Sequence, residues 1–420
     1  MLIEFRVENH RSLRDEQALT LEAGRIGESS DPRPRKVAGH SESLLPAAVI
    51  YGANASGKSN VLAALAFMRE AVISSHRQGD PLGGIPRTAF AWGDKRNEPS
   101  MFEASFLVGA TKYDYGFSVD DEVVVEEWLF ALPNNRKQVW FEREGDVFKF
   151  GEHMKGPKDA VREVTRSNAL FLSAAAQLGH KQLGPIYTWF RGIRRINIPR
   201  RGYQPLRMGG ASPFYMFDDK KPSLIQGDEA HNTLAARIRQ LLKAADTGIV
   251  DVKSIDNEEE YRGRTRRQRR LLLQHQPGDD DSWLDLEEES GGTKTLFRMA
   301  PSVFRSLDSG GLLLVDELES NMHPLLGSAI VKMFNSPEAN PRNAQILFTT
   351  HDTNLLGTTL GEPPLRRDQV WFTEKDKEGA SRLYPLTDYK PRKAENLERG
   401  YLQGRYGAIP FLGDIAWITE

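Results

Sequence analysis

The chain has 420 residues, 39% of them apolar and 27% charged, with a formal net charge of −2. That is enough for a large core in two lobes, and it gives no global electrostatic case for nucleic acid, so DNA contact would need a local basic patch. The absence of cysteine excludes disulfides, zinc–thiolate sites and thiol nucleophiles; without a spanning-length apolar run or a signal-peptide pattern, a cytoplasmic protein with no membrane partner is expected.

In chain order, residues 2–8 alternate apolar and polar, which predicts a strand with one buried face. Asn9-His10-Arg11-Ser12 makes a turn, residues 17–22 return as a strand, and 24–43, rich in Gly, Ser, Pro and charge, form a loop. The apolar run Ala47-Ala48-Val49-Ile50-Tyr51 reads as a buried strand. It leads into Gly52-Ala53-Asn54-Ala55-Ser56-Gly57-Lys58-Ser59, which fits G-x-x-x-x-G-K-[ST]. A helix follows over 60–71, with Val61, Leu62, Leu65, Met68 and Val72 at helical spacing. Strand, glycine-rich loop and helix make a phosphate cradle: backbone N–H groups form an anion nest at a helix N-terminus, where the macrodipole also favours negative charge. Gly52, Asn54, Ser56, Gly57, Lys58, Ser59 and Asn60 are the expected nucleotide contacts, with Lys58 reaching the β- and γ-phosphates and Ser59 holding Mg²⁺.

Residues 77–100 read as irregular, and 101–150 as a meander of four short antiparallel strands. Residues 158–245 are expected to be mostly helical, most clearly at 167–178 and 232–245. Two basic runs, Arg191 to Arg201 and Arg262 to Arg270, are either solvated faces or phosphate contacts. A strand at 269–275, a turn at 277–281 and a strand at 283–286 come next. Glu289-Ser290-Gly291-Gly292-Thr293-Lys294 then opens a helix over 295–307, a second anion-binding helix start.

Leu312-Leu313-Leu314-Val315-Asp316-Glu317 is an apolar strand ending in two carboxylates, the Walker B pattern. A buried strand of this kind delivers its acids to the sheet edge that also carries the phosphate loop. Asp316 is expected to support Mg²⁺, and Glu317 to polarise the attacking water as general base. Ile346-Leu347-Phe348-Thr349-Thr350-His351-Asp352 is another apolar strand with a polar end, and His351 is its candidate for contact with the γ-phosphate. Beyond it lie a short β region at 370–386 and the tail Gly400-Tyr401-Leu402-Gln403-Gly404-Arg405-Tyr406-Gly407-Ala408-Ile409-Pro410, either a docking element or a segment packing on its own lobe. There is no fixed-period repeat and no sustained heptad pattern.

Together these elements resemble the ABC-type ATPase superfamily, in the branch with SMC, RecF and the overcoming-lysogenization-defect nucleases. The order is P-loop, signature Ser290-Gly291-Gly292, Walker B Asp316-Glu317 and switch His351. Asn9-His10-Arg11-Ser12 is similar to that branch's N-terminal Asn-Phe-Arg-Ser motif, which makes Arg11 a phosphate-side candidate; His10 departs from the usual aromatic. Within this branch the chain is similar to stand-alone ATPases tied to abortive infection and phage defence, of the RloA and AbiLi type. That likeness is carried by residues 52–60, 288–294, 316–324 and 400–410.

The resemblance implies an α/β fold: a P-loop ATPase head with a mixed core sheet, a flanking antiparallel β layer and an inserted helical region. The head's N-terminal part would span 1–157, the helical insertion 158–260 and the head's C-terminal part 261–420. It also implies ATP and Mg²⁺ as cofactors and a head-to-tail homodimer sandwiching two ATPs. Ser290, Gly291 and Gly292 would then close on the nucleotide of the other copy, with Asn321 and His323 beside the interface. Gln177, after the apolar 169–176 run, is the candidate for the glutamine that joins the Mg²⁺ site. No second catalytic constellation is present, so the implied function is a nucleotide-gated switch working with a separate effector such as a nuclease. The alternative is a RecF-like repair or recombination ATPase, which would contact DNA through the basic runs. A transporter subunit is excluded by the roughly 230 residues between P-loop and signature, more than such compact domains hold.

Overall fold

The computed structural model describes residues 1–26, 30–199, 217, 228–245, 248–261, 264–276, 282–358, 361–392 and 395–410. They belong to two units: residues 1–206, 306–318 and 328–420, and residues 207–305 with 319–327.

The first unit begins with β1 (Leu2–Glu8), β2 (Gln17–Thr20), β3 (Ala47–Gly52) and the long helix α1 (Lys58–Gln78). A meander follows: β4 (Ser100–Val108), β5 (Thr111–Val119), β6 (Val124–Leu132), β7 (Gln138–Glu144) and β8 (Val147–Phe150). Three short helices, α2 (Lys158–Val164), α3 (Phe171–Gln177) and α4 (Gly184–Gly192), lead to β9 (Arg194–Ile196). The second unit holds α5 (Asp228–Ala244), the antiparallel strands β10 (Ile249–Tyr261) and β11 (Arg264–His275), and β12 (Trp283–Asp285). Helices α6 (Gly291–Ser309) and α7 (Pro324–Asn335) each run from the second unit into the first, flanking β13 (Leu312–Val315). The chain continues through β14 (Gln345–Thr349), β15 (Val370–Lys375), β16 (Ser381–Pro385) and α8 (Leu397–Leu402).

Two sheets build the first unit. The core sheet has the order β16-β15-β3-β14-β13-β9, parallel throughout except for the β15–β16 hairpin. β3, β13 and β14 are apolar and buried along their whole length, the pattern of parallel strands covered on both faces. The second sheet is antiparallel, with the order β2-β1-β4-β5-β6-β7-β8. β1 alternates buried and half-buried residues because it shows only one face to the core.

Helix α1 is a shared core element. From Val61 to Ser75 every residue except Arg69 is buried, so the one-sided apolar stripe read from the sequence understates its packing. Alanines at 63, 64, 66 and 71 keep its other faces narrow enough for close neighbours. Two segments expected to be helical are strands. Arg194–Ile196 completes the core sheet beside β13, and Ile249–Tyr261 pairs with β11. The first is a three-residue basic stretch with no room for alternation; the second is too polar to show a strand's apolar face.

Candidate nucleotide site

The phosphate loop is shaped by close approach. A Cβ on Gly52 would lie 2.5 Å from Ser56 Oγ and 2.6 Å from Thr373 O, so only glycine fits between the loop and β15. Ala55 and Gly57 take positive φ, 61° and 109°, turning successive N–H groups inward before α1 begins at Lys58. Hydroxyls brace the loop from behind: Ser56 Oγ is 2.7 Å from Thr373 Oγ1, and Ser381 Oγ donates to Ser56 O at 2.6 Å. Lys58 is buried, and its ammonium donates to Gly52 O at 2.9 Å and Ala53 O at 3.0 Å, so its charge sits inside the loop. Asn54 and Ala55 form the exposed crown.

β13 and β14 end at the same sheet edge. Asp316 Oδ1 accepts the Ser59 hydroxyl at 2.9 Å and the Thr349 hydroxyl at 2.7 Å. Thr349 Oγ1 in turn accepts the Glu317 backbone N–H at 2.8 Å. One oxygen network thus joins the start of α1, the end of β13 and the end of β14. Glu317 is exposed and held at φ 53°, a costly conformation for a side-chain-bearing residue; it turns the second carboxylate out of the strand line. His351 stands two residues past Thr349, exposed at the same edge.

Ser59 and Asp316 suit Mg²⁺, which takes one or two protein oxygens and completes its octahedron with water and phosphate. Among the described residues no group of three His, Cys, Asp or Glu side chains could hold a metal by itself, so an all-protein cage is not what this site offers.

The turn 9–12 is locked to the loop. Arg11 Nη1 lies 3.4 Å from Asn60 Oδ1, and Asn60 Nδ2 donates to Ser12 Oγ at 2.6 Å. Ser12 is also bonded to Ser381, at 2.7 Å between hydroxyls and 2.6 Å from the Ser381 N–H to the Ser12 carbonyl. His10 fills the aromatic position. It is buried 5.8 Å from Phe67 and 5.4 Å from Phe102, and burial together with the Arg11 charge pulls its pKa down to about 3, so the ring packs as a neutral aromatic.

Gln177 is not brought to this edge. Buried Glu127 of β6 accepts the N–H groups of Phe171 and Leu172 at the start of α3. Ser173 Oγ accepts the His76 N–H near the end of α1. His76 lies about 27 Å along α1 from Lys58, and seven-residue α3, about 10 Å long, cannot carry Gln177 back. Besides Thr349, Asn197 reaches Asp316 from a neighbouring strand end: after β9, at φ 59°, its side-chain amide donates to Asp316 O at 3.1 Å. No sequence motif marks it.

The signature residues lie in the second unit. Ser290 caps α6, its hydroxyl accepting the Thr293 N–H at 3.1 Å. A Cβ on Gly292 would meet Asn321 O at 2.7 Å, so glycine is required there, while Gly291 lies at ordinary contact distance from the Asn321 side chain. Of the basic runs, Arg195 pairs with Glu70 and Arg194 donates to Ser309 Oγ, which ties both to the core; Arg200, Arg201 and the side chains of 264–269 lie outside the described residues. Among the described residues no helix is long and apolar enough to cross a membrane.

The family model described as "AAA domain, putative AbiEii toxin, Type IV TA system" matches residues 47–357. No curated protein matches the sequence. Among solved structures, the Smc head domain with a coiled coil and joint from Pyrococcus yayanosii is similar at 14% identity and TM-score 0.26, over 39% of this chain and 30% of that one. The Smc head domain with an extended coiled coil bound to the C-terminal domain of ScpA from Pyrococcus furiosus is similar at 11% identity and TM-score 0.36, over 96% of this chain and 98% of that one.

Proposed function

The chain belongs to this AAA-domain family, and on that premise we propose that it is a P-loop ATPase with an ABC-type head, which binds and hydrolyses Mg-ATP as a nucleotide-gated switch. The observation that carries the reading is the hydrogen-bond network from Ser59 through the Asp316 carboxylate and Thr349 to the Glu317 backbone, which ties the phosphate loop to the strand end that bears both acids. Lys58 and the loop N–H groups neutralise the β- and γ-phosphates, Arg11 adds charge from the side, and Ser59 with Asp316 holds Mg²⁺. Glu317 orients and deprotonates the attacking water, and His351 contacts the γ-phosphate. Bound Mg²⁺ supplies Lewis-acid polarisation of the phosphoryl oxygens.

The head works as a head-to-tail homodimer in which Ser290, Gly291 and Gly292 of one copy close on the ATP of the other. ATP then links the two copies and hydrolysis separates them. The toxin–antitoxin wording of the family description, with the tail motif, supports a role in abortive infection of phage-attacked cells, with a separate effector such as a nuclease.

The test is the solution mass of Glu317→Gln by light scattering, with and without Mg-ATP. This variant should bind ATP, turn it over about 100-fold more slowly or worse, and shift from monomer to dimer. A mass that ignores ATP overturns the sandwich, and near-normal turnover removes Glu317 as the base.

A further inference from the structure

The tail is built onto the back of the loop that would hold the phosphates, and the Tyr401 side chain is hydrogen-bonded to the Gly52 backbone. Glu398 and Tyr401 of α8 are three residues apart and so share one helix face. Tyr401 is buried, its ring 5.4 Å from Tyr51 and stacked 5.5 Å from Phe372. Phe372 and Tyr51 are register partners on β15 and β3, and the next pair is Thr373 and Gly52. Tyr406 is buried 5.9 Å from Phe372, the Tyr384 hydroxyl donates to its carbonyl at 3.0 Å, and the Ala408 N–H donates to Glu374 at 2.5 Å. Of the two readings open at the sequence level, packing on its own lobe describes these residues.

The other half of the face reaches the switch segment. Glu398 Oε1 accepts the Thr353 hydroxyl at 3.0 Å. Between His351 and Thr353, the Asp352 carbonyl accepts the Tyr51 hydroxyl at 2.8 Å. So the stretch that carries His351 past the end of β14 is tied both to the residue before Gly52 and to the tail.

Resting on the ATPase reading above, we propose that Glu398 is a positioning residue, which holds His351–Thr353 in register with the P-loop so that this contact between tail and switch segment governs ATP turnover and not ATP affinity. The Glu398–Thr353 contact is separate from the bracing of the phosphate cradle through Ser56, Thr373 and Ser381, so loosening it leaves binding in place. A shift of about 1 Å in a catalytic group is enough to slow chemistry markedly. A hydrogen bond to a carboxylate is a firm anchor because it is charge-assisted.

The experiment compares Thr353→Val, Glu398→Ala and the double variant with the wild-type chain, with Thr353→Ser as the conservative control. ATP turnover and the affinity for a fluorescent ATP analogue are both measured. Each single variant should lower kcat by about 3- to 10-fold with KM and analogue affinity within about 2-fold of wild type. The double should fall no further than the worse single, because one contact is removed, and Thr353→Ser should stay near wild type. Unchanged kcat in both singles overturns the proposal, as does additivity or a parallel loss of affinity. A wild-type chain that turns over no ATP overturns the ATPase reading and this proposal with it, whereas turnover indifferent to residues 353 and 398 overturns the proposal alone.

Discussion

The P-loop and the signature are both glycine-containing starts of helices, but they are supported in different ways. The P-loop is held from outside by residues far away in sequence: Thr373 and Ser381 behind it, Ser12 beside Asn60, and Asp316 in front of Ser59. The signature is held locally, by the Ser290 cap on its own helix and by Asn321 against Gly291 and Gly292. A loop held from several sides is a rigid receptor, complete within one lobe. A capped helix start on a bed of small residues is a surface, and a surface acts through what approaches it.

If that contrast is right, damage to the two stretches should separate binding from closure. The largest effect belongs to Lys58→Ala, which removes the only charge inside the loop among the described residues; ATP affinity, measured by calorimetry, should fall by about 100-fold or more. Unchanged affinity would break the P-loop side of the comparison. Ser290→Arg should leave that affinity intact while abolishing ATP-dependent dimerisation and turnover, since a long cation cannot enter a closed interface; normal turnover would mean the signature does not act across copies.

Smaller effects sharpen the boundary of the site. Gln177→Ala should leave turnover within about 2-fold of wild type, its position being set by α3 at the far end of α1; a large loss would restore it to the site. His10→Phe should change stability little at pH 7 but alter its pH dependence. The neutral native ring resists protonation down to about pH 3, while the unfolded chain takes up a proton near pH 6.5. Unfolded protein then binds more protons, so wild-type stability falls as the pH drops between these values, by about 1.4 kcal/mol per unit from this group. The variant should lose that slope in urea titrations from pH 6.5 to 4; an identical slope would mean His10 is charged in the fold.

The chemistry of the nucleotide site was legible in sequence because its strongest parts are local. A glycine-rich loop between an apolar strand and a helix fixes its own backbone, and an apolar strand ending in Asp316-Glu317 carries its meaning in six consecutive residues. Arg11 could be picked out by motif, although not the hydrogen bonds that bring its turn to Asn60. The antiparallel layer followed from short strands with alternating residues, and the mixed core sheet from the family resemblance. Thr373, Ser381 and Asn197 were invisible, being single small polar residues outside any motif, and Ser12 and Thr349 lay in motifs that do not show what their hydroxyls bond. Gln177 failed for the same reason in reverse: an apolar run followed by glutamine looks like a strand or helix leading to a site, and only the anchoring of α3 on Glu127 and Ser173 shows that it leads away.

By itself, then, the sequence marked a P-loop and an apolar strand ending in two carboxylates, because backbone conformation at a P-loop and burial of an apolar strand are short-range consequences of residue type. Tertiary structure alone decided which hydroxyls brace that loop, which strand completes the sheet beside Asp316, and that the tail packs against Tyr51 and the switch segment. Those depend on pairings between residues up to hundreds of positions apart, where no local pattern carries the information.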